Sequence, residues 1–257
     1  MKPLDENQVI ANLSQQNDTS AQYYAAWWLG KMRSKHSDAV PLLLKTLANL
    51  SHDPVDPDRR GVALNSIRAL GLLCDSAACD PLIRLLASAD YIVREEAARS
   101  LGNMKVKAAI TPICQLLTKK PKSSDQKRIE FSTVDEPYES LLEALGNIGV
   151  SNPSILDAII PFSKHPRPLI QAAACRALLQ LMKQQRWATQ LERLLKHPEP
   201  LVRRGVLLDL GAAGWIATLP AIEAATVEAS LKLVALRGLA EEHSGDIRVF
   251  NAMDRLL

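Results

Sequence analysis

The chain has 257 residues and a formal charge of +3; hydrophobic residues make up 47% of it and aromatics only 4%, so its core is built mainly from Ala, Leu, Ile and Val, as in closely stacked helices. The charge is too small to argue for nucleic acid by itself and suits a cytosolic protein with an acidic partner or ligand. Met1 to Gln8 lacks the basic-then-apolar order of a signal peptide, and the longest apolar stretch, Val206 to Ala225, contains Asp209, Glu223, Gly211, Gly214 and Pro220, which argues against a membrane span. Cys74, Cys79, Cys114 and Cys175 show neither CxxC spacing nor a disulfide framework and read as reduced thiols.

Taken in chain order, similar ten-residue apolar patterns close at Leu29-Gly30, Leu70-Gly71, Leu101-Gly102, Leu145-Gly146 and Leu210-Gly211; Leu178-Leu179 closes one without the glycine. The intervals between these positions are 41, 31, 44, 33 and 32 residues, a unit of 31 to 33 lengthened twice by insertions. Such a period marks a solenoid. Nine residues before each position stand Ala21, Val62, Val93, Pro137, Ile170 and Val202; five before stand Ala25, Ser66, Ala97, Leu141, Ala174 and Val206; four before stand Ala26, Ile67, Ala98, Leu142, Cys175 and Leu207. At 100° per residue these columns and the leucine share one side of a helix. The glycine is expected to supply the left-handed residue that ends it. Pro41, Pro81, Pro112, Pro161 and Pro220 then open or lie within the next helix.

Each unit therefore reads as two antiparallel helices, and strand patterns are absent. The expected fold is all-α, a right-handed α-solenoid of about six helical-hairpin repeats, forming one domain over residues 1–257. Insertions near 49–58 and 118–136 are expected to emerge as loops on one edge; the second begins with the basic run Lys119-Lys-Pro-Lys122, which reads equally as a binding loop or a spacer. The repeat weakens at Leu236-Arg-Gly-Leu-Ala240, so residues 229–257 are expected to form a cap whose apolar surface invites a partner.

Positions seven, six and three before the glycine are expected to face outward. In the first unit these are Tyr23, Tyr24 and Trp27, with Trp28 on the flank, so four of the chain's eleven aromatics lie together. The column three before then reads Arg68, Arg99, Glu143, Arg176 and Leu208. Two readings are open. Aromatic faces beside arginines suit a flat, conjugated ligand with carboxylates; alternatively the rings cap the open end of the array and the arginines belong to a solvated, salt-bridged face. His165-Pro166 and His197-Pro198 lie 32 residues apart, one repeat length, and read as equivalent turns, so no metal site is expected. Cys175 falls in a buried column, and a nucleophilic Cys74 or Cys79 would need a basic neighbour that the sequence does not reveal. No phosphate loop, GxSxG, HExxH or paired-carboxylate motif is present.

The segment Asp90-Tyr-Ile-Val-Arg-Glu-Glu-Ala-Ala-Arg-Ser-Leu-Gly102 resembles the HEAT repeat, and 200–211 matches it less completely. That resemblance gives Arg94 and Arg203 a structural role, bonding acidic residues of adjacent turns. Four runs, Tyr23-Tyr-Ala-Ala-Trp-Trp-Leu-Gly30, Arg59 to Gly71, Tyr91 to Gly102 and Glu136-Pro-Tyr-Glu-Ser-Leu-Leu-Glu-Ala-Leu-Gly146, resemble more narrowly the E-type subunit of cyanobacterial phycobilin lyases, over roughly residues 20 to 215.

The resemblance implies a subunit that acts with an F-type partner to attach phycocyanobilin, as substrate rather than resident cofactor, to a cysteine of the phycocyanin or phycoerythrocyanin α subunit. The bond is a thioether to the ethylidene group of ring A; in the phycoerythrocyanin version the pair also isomerises the pigment to phycoviolobilin. On this reading Tyr23, Tyr24, Trp27 and Trp28 offer faces to the pyrrole rings. Arg68 and Arg99 bind propionates, with Arg59 or Arg60 in support, and Glu95, Glu139 or Glu143 accepts pyrrole N–H protons. The nucleophile is the acceptor's cysteine, which fits the lack of a local catalytic motif. The implied setting is the cyanobacterial cytoplasm, in association with phycobilisomes. Rival readings are a HEAT scaffold or phycobilisome degradation adaptor without pigment, and a relative that carries or detaches bilin without forming the thioether.

Overall fold

The computed structural model describes residues 5–51, 56–118 and 136–257. No strand occurs among them. Helices alternate between a first and a second member of a hairpin: α1 (Glu6–Ser14) with α2 (Thr19–Lys31), α3 (Ala39–Thr46) with α4 (Pro57–Leu73), and α5 (Cys79–Leu85) with α6 (Tyr91–Asn103); α7 (Ile110–Thr118) and α8 (Tyr138–Ile148) come next in the chain. There follow α9 (Pro153–Ile159) with α10 (Pro168–Met182), α11 (Gln185–Leu194) with α12 (Pro200–Ala213), α13 (Leu219–Ala224) with α14 (Ala229–Glu242), and a last helix, α15 (Ile247–Asp254). The fold is thus all-α and of the α-solenoid type. The chain falls into two compact units, Met1–Ala144 and Leu145–Leu257, and the division lies within α8. The basic run 119–122 lies outside the described residues, as do 52–55 of the first insertion.

Helix starts are fixed by short polar side chains that take up otherwise unpaired N–H groups. Asp18 accepts from the Ala21 amide, Asp56 from Arg59 and Asn152 from Ile155, the last two followed by a proline at the first helical position. Pro161 does not open a helix; α9 starts at Pro153, and Pro161 sits in the 3-10 turn Ile160–Lys164 that follows it. The expected leucine column, Leu29, Leu70, Leu101, Leu145, Leu178 and Leu210, is fully buried, and each such side chain contributes about 1.5–3 kcal/mol relative to exposure.

The repeat glycines do not end their helices. Gly30, Gly71, Gly102, Gly146 and Gly211 all lie inside them, and the left-handed residue comes three positions later: Arg33 (φ 53°), Cys74 (56°), Lys105 (54°), Gly149 (77°) and Gly214 (63°). What demands glycine is the next repeat. A Cβ on Gly30 would stand 2.6 Å from the Ala69 Cα; on Gly71, 2.6 Å from the Ser100 Cβ; on Gly102, 2.8 Å from the Ala144 Cα; on Gly211, 2.5 Å from the Ala235 Cα. Successive second helices therefore touch backbone to backbone, and the Ser100 hydroxyl donates to the Ile67 carbonyl at 2.9 Å across one such contact. In the fifth repeat Leu179 replaces the glycine, and the position two before the next glycine is Asp209, which pairs with Arg176 at 3.3 Å.

Arg94 has the structural role expected of it. Its Nε donates to Glu136 at 2.9 Å with both side chains about nine-tenths buried, and Nη1 donates to the carbonyls of Ser88 and Ala89. Arg203 has the same kind of role with different partners, donating to the carbonyls of His197, Pro198 and Thr226.

Candidate functional site

The site lies in the first unit, on α2, α4 and α6, whose close packing at Gly30 and Gly71 fixes their spacing. Tyr23, Tyr24 and Trp27 are 48%, 45% and 45% exposed, so the first-unit rings are not absorbed into the core. Tyr24 and Trp27 are neighbours, with ring centroids 5.5 Å apart and planes tilted by 38°. The Tyr23 ring lies over Gly61, where an added Cβ would be 3.4 Å from its edge, and a cleft of about 310 Å³ beside it is lined by Thr19, Ser20, Tyr23, Pro57, Asp58 and Gly61. Trp28 is half-buried, two before the glycine. Later repeats put Ala69, Ser100 and Ala144 there to meet the preceding glycine.

Of the outward columns, the one three before the glycine holds in part: Trp27, Arg68, Arg99 and Leu208 are exposed and Glu143 is half-buried, but the Arg176 side chain is drawn in to Asp209 and is only 11% exposed. The column six before does not. After Tyr24 it reads Asn65, Glu96 and Ser140, all buried, because it faces the adjacent second helix. Asn65 Nδ2 donates to the Tyr23 carbonyl at 3.1 Å, Arg68 Nη1 donates to Asn65 Oδ1 at 3.1 Å, and Arg68 Nη2 donates to Glu96 Oε1 at 2.6 Å. That bond, opposed by partial burial, raises the Arg68 pKa, with the nearby Tyr23 hydroxyl adding to the effect. Asn65 and Glu96 were not singled out from the sequence; the signal was a polar residue recurring in a register otherwise read as outward.

The remaining candidates sit in ion pairs or at helix starts. Arg99 Nη2 bonds Glu95 at 2.8 Å within α6. Arg60 makes a two-pronged pair with Asp90, Nε at 2.5 Å and Nη2 at 2.9 Å, binding the start of α4 to that of α6. The Arg59 amide donates to the Asp56 cap, and Glu139 lies half-buried in the first turn of α8.

Asp90 also caps α6 through the Ile92 and Val93 amides; Arg60 chiefly, and those amides, hold its carboxyl below the usual carboxylate range against an opposing effect of burial. A folded pKa below the unfolded one, about 3.9, gives stability that is present above that pH and lost as pH falls through the folded value. Asp90→Asn, which keeps a cap, is expected to flatten the decline in urea midpoint between about pH 5 and 2.5, for which the unfolded value of about 3.9 sets the scale; an unchanged acid limb would contradict this role.

Cys79, Cys114 and Cys175 carry no nucleophilic activation. Burial pushes Cys79 and Cys114 up, with Asp80 and Asp75 adding to Cys79, and burial together with Asp209 pushes Cys175 to about 12. His165 and His197 are equivalent turn caps, each Nδ1 accepting a backbone N–H two residues on, at 3.1 and 3.2 Å.

Hairpins of this period, joined by glycine contacts and buried Arg94, define a HEAT-repeat protein with an exposed aromatic and cationic wall. A family described as HEAT repeats matches residues 55–132, and one described as PBS lyase HEAT-like repeat matches residues 21–49. The chain is 57% identical to bilin biosynthesis protein RpcE of Synechococcus sp. strain WH8020, over 99% of this chain and 96% of that protein. It is 41% identical to phycocyanobilin lyase subunit alpha of Picosynechococcus sp. PCC 7002, over 92% of this chain and 87% of that one. A chain of the solved complex of CpcE and CpcF of phycocyanin lyase from Nostoc sp. PCC7120 superposes with a TM-score of 0.82 at 39% identity, covering 100% of this chain and 96% of that one. The chain belongs to the family of phycocyanobilin lyase alpha subunits. Among its described residues no helix is long and apolar enough to cross a membrane.

Proposed function

We propose that this chain is the alpha subunit of a heterodimeric bilin lyase, which binds phycocyanobilin as substrate, without a resident cofactor, and directs its attachment to a cysteine of a phycobiliprotein α subunit. The observation that carries the reading is the exposed Tyr23–Tyr24–Trp27 surface with Arg68 beside it; relatives named as bilin proteins and a match to a CpcE–CpcF complex support it and the F-type partner. The acceptor is the α subunit of phycocyanin or phycoerythrocyanin and the setting the cyanobacterial cytoplasm, beside the phycobilisome. In the attachment the thiol adds across the ethylidene double bond of ring A: sulfur bonds to the exocyclic carbon, hydrogen goes to the ring carbon, and nothing is oxidised or released. The chain's share of the work is to hold the pigment by its faces and propionates, and alignment alone lowers well-oriented barriers by about 7–11 kcal/mol. On this reading one carboxylate, Glu95, Glu139 or Glu143, takes the pyrrole N–H groups. The exposed Val234, Ile247 and Phe250 of α14 and α15 offer the partner an apolar surface.

Co-expression with an F-type subunit, a phycocyanin α subunit and a source of phycocyanobilin is expected to yield a covalently coloured α subunit. Trp27→Ala combined with Arg68→Ala should cut that yield by about tenfold or more, the loss of one charge-assisted bond and one ring contact, with far-UV dichroism unchanged. Normal transfer by the double variant would remove this site, and no coloured product from the wild type would remove the lyase reading. The name of RpcE gives the bilin only by class; the absorption maximum of the product tells which bilin is attached.

A further inference from the structure

The wall presents two arginines, Arg68 and Arg99, and their surroundings differ in kind. Arg99 bonds Glu95 one turn away on its own helix, and among the described residues no bond from outside α6 fixes where that guanidinium points. Arg68 is tied into a chain that crosses three helices: the Tyr23 carbonyl on α2, Asn65 on α4, Arg68 itself and Glu96 on α6.

Asn65 is 4% exposed and uses both ends of its amide. Turned over, it would set its NH2 against the guanidinium and its oxygen against a carbonyl, so the network admits one orientation. Glu96, 7% exposed, anchors the other side of the fork. Two of the five N–H donors of Arg68 are thereby committed and three remain, on a side chain still 46% exposed. The negative partner is buried and the positive end faces out, beside the Tyr23 ring. A guanidinium held in this way binds a carboxylate with little further loss of rotamer freedom.

We propose that Asn65 and Glu96 are positioning residues that make Arg68, rather than Arg99, the fixed anchor for a propionate of the bilin and the source of selectivity for the free-acid pigment. The inference rests on the bilin-lyase reading given above and is testable apart from it.

The complex with its F-type subunit is assayed with phycocyanobilin and with its dimethyl ester, measuring binding by the absorbance shift and ligation to the phycocyanin α subunit as kcat and KM. Wild type is expected to favour the free acid by about tenfold or more in KM, the worth of one charge-assisted bond. Asn65→Leu should bring that preference to near unity by raising KM for the acid, leaving kcat and the thermal melt little changed; Arg99→Ala should retain it. Should Asn65→Leu fail to fold, Asn65→Ser, which also breaks the relay, takes its place. Equal use of acid and ester by wild type, an undiminished preference in the folded Asn65 variant, or its loss in Arg99→Ala overturns the anchor while leaving the lyase reading intact. Wild type that takes neither pigment overturns both.

Discussion

Alanine at Gly71 or Gly211 is expected to destabilise the protein by at least about 1–3 kcal/mol, the usual cost of forcing a methyl group into a closed contact. The methyl on Gly71 would stand 2.5 Å from the Ser100 hydroxyl and 2.8 Å from its Cα; on Gly211 it would stand 2.5 Å from the Ala235 Cα and 2.6 Å from its carbonyl oxygen. Backbone atoms cannot rotate aside as side chains do, so two helices must separate and their buried alanines and leucines lose contact on either side. Gly61→Ala is the control: it too lies mid-helix, but the nearest atoms are the Tyr23 ring at 3.4 and 3.5 Å. That variant should be neutral or gain up to about 1 kcal/mol, since alanine is the better helix former. Urea midpoints by far-UV dichroism, with hydrogen exchange across α4 and α6 to catch local opening, measure both. A Gly71→Ala protein as stable as the wild type would show that the helices are not held by this contact.

The second large effect is expected at Arg94. Arg94→Met leaves the Glu136 carboxylate buried without its guanidinium and frees the carbonyls of Ser88 and Ala89, and removal of one partner from such a pair costs about 3–5 kcal/mol. Arg94→Met with Glu136→Leu should recover part of that loss. Recovery stays partial because the carbonyls remain uncompensated. A coupling energy from the double-mutant cycle below about 0.5 kcal/mol, the level at which independent sites add, would show that the two residues do not act together.

The hairpin construction was legible because burial imposes a period. The leucine before the repeat position and the residues four and five before it are core residues in the first six repeats, and nothing else about the sequence needed to be known to place them. The glycine itself was misjudged. Its position near a helix end suggested a cap, whereas the demand comes from Ala69, Ser100, Ala144 or Ala235 in the following repeat, and a contact between distant segments leaves no mark in the local pattern. The caps fell to Arg33, Cys74 and Lys105, which have no special affinity for left-handed backbone and are held there by the preceding helix and the turn that follows. At the wall, Tyr23, Tyr24, Trp27, Arg68 and Arg99 could be placed from register alone. Asn65 and Glu96 could not, because a polar residue in an outward register looks solvated until the neighbouring helix is known to lie over it. The seventh hairpin, α13 with α14, was likewise hidden by its shortened spacing.

That shortened repeat differs from the others at one further place. In α14 the place equivalent to the repeat glycine, two beyond Ala235, belongs to Arg237, whose side chain is 76% exposed and pairs with Glu241 on its own helix. A long cation there takes the place of the close seat that the repeat glycines offer, as Leu179 does in the fifth repeat, and α15 follows as a single helix. Glycine at this place would open it to the close backbone approach that Gly30 and Gly71 give their neighbours.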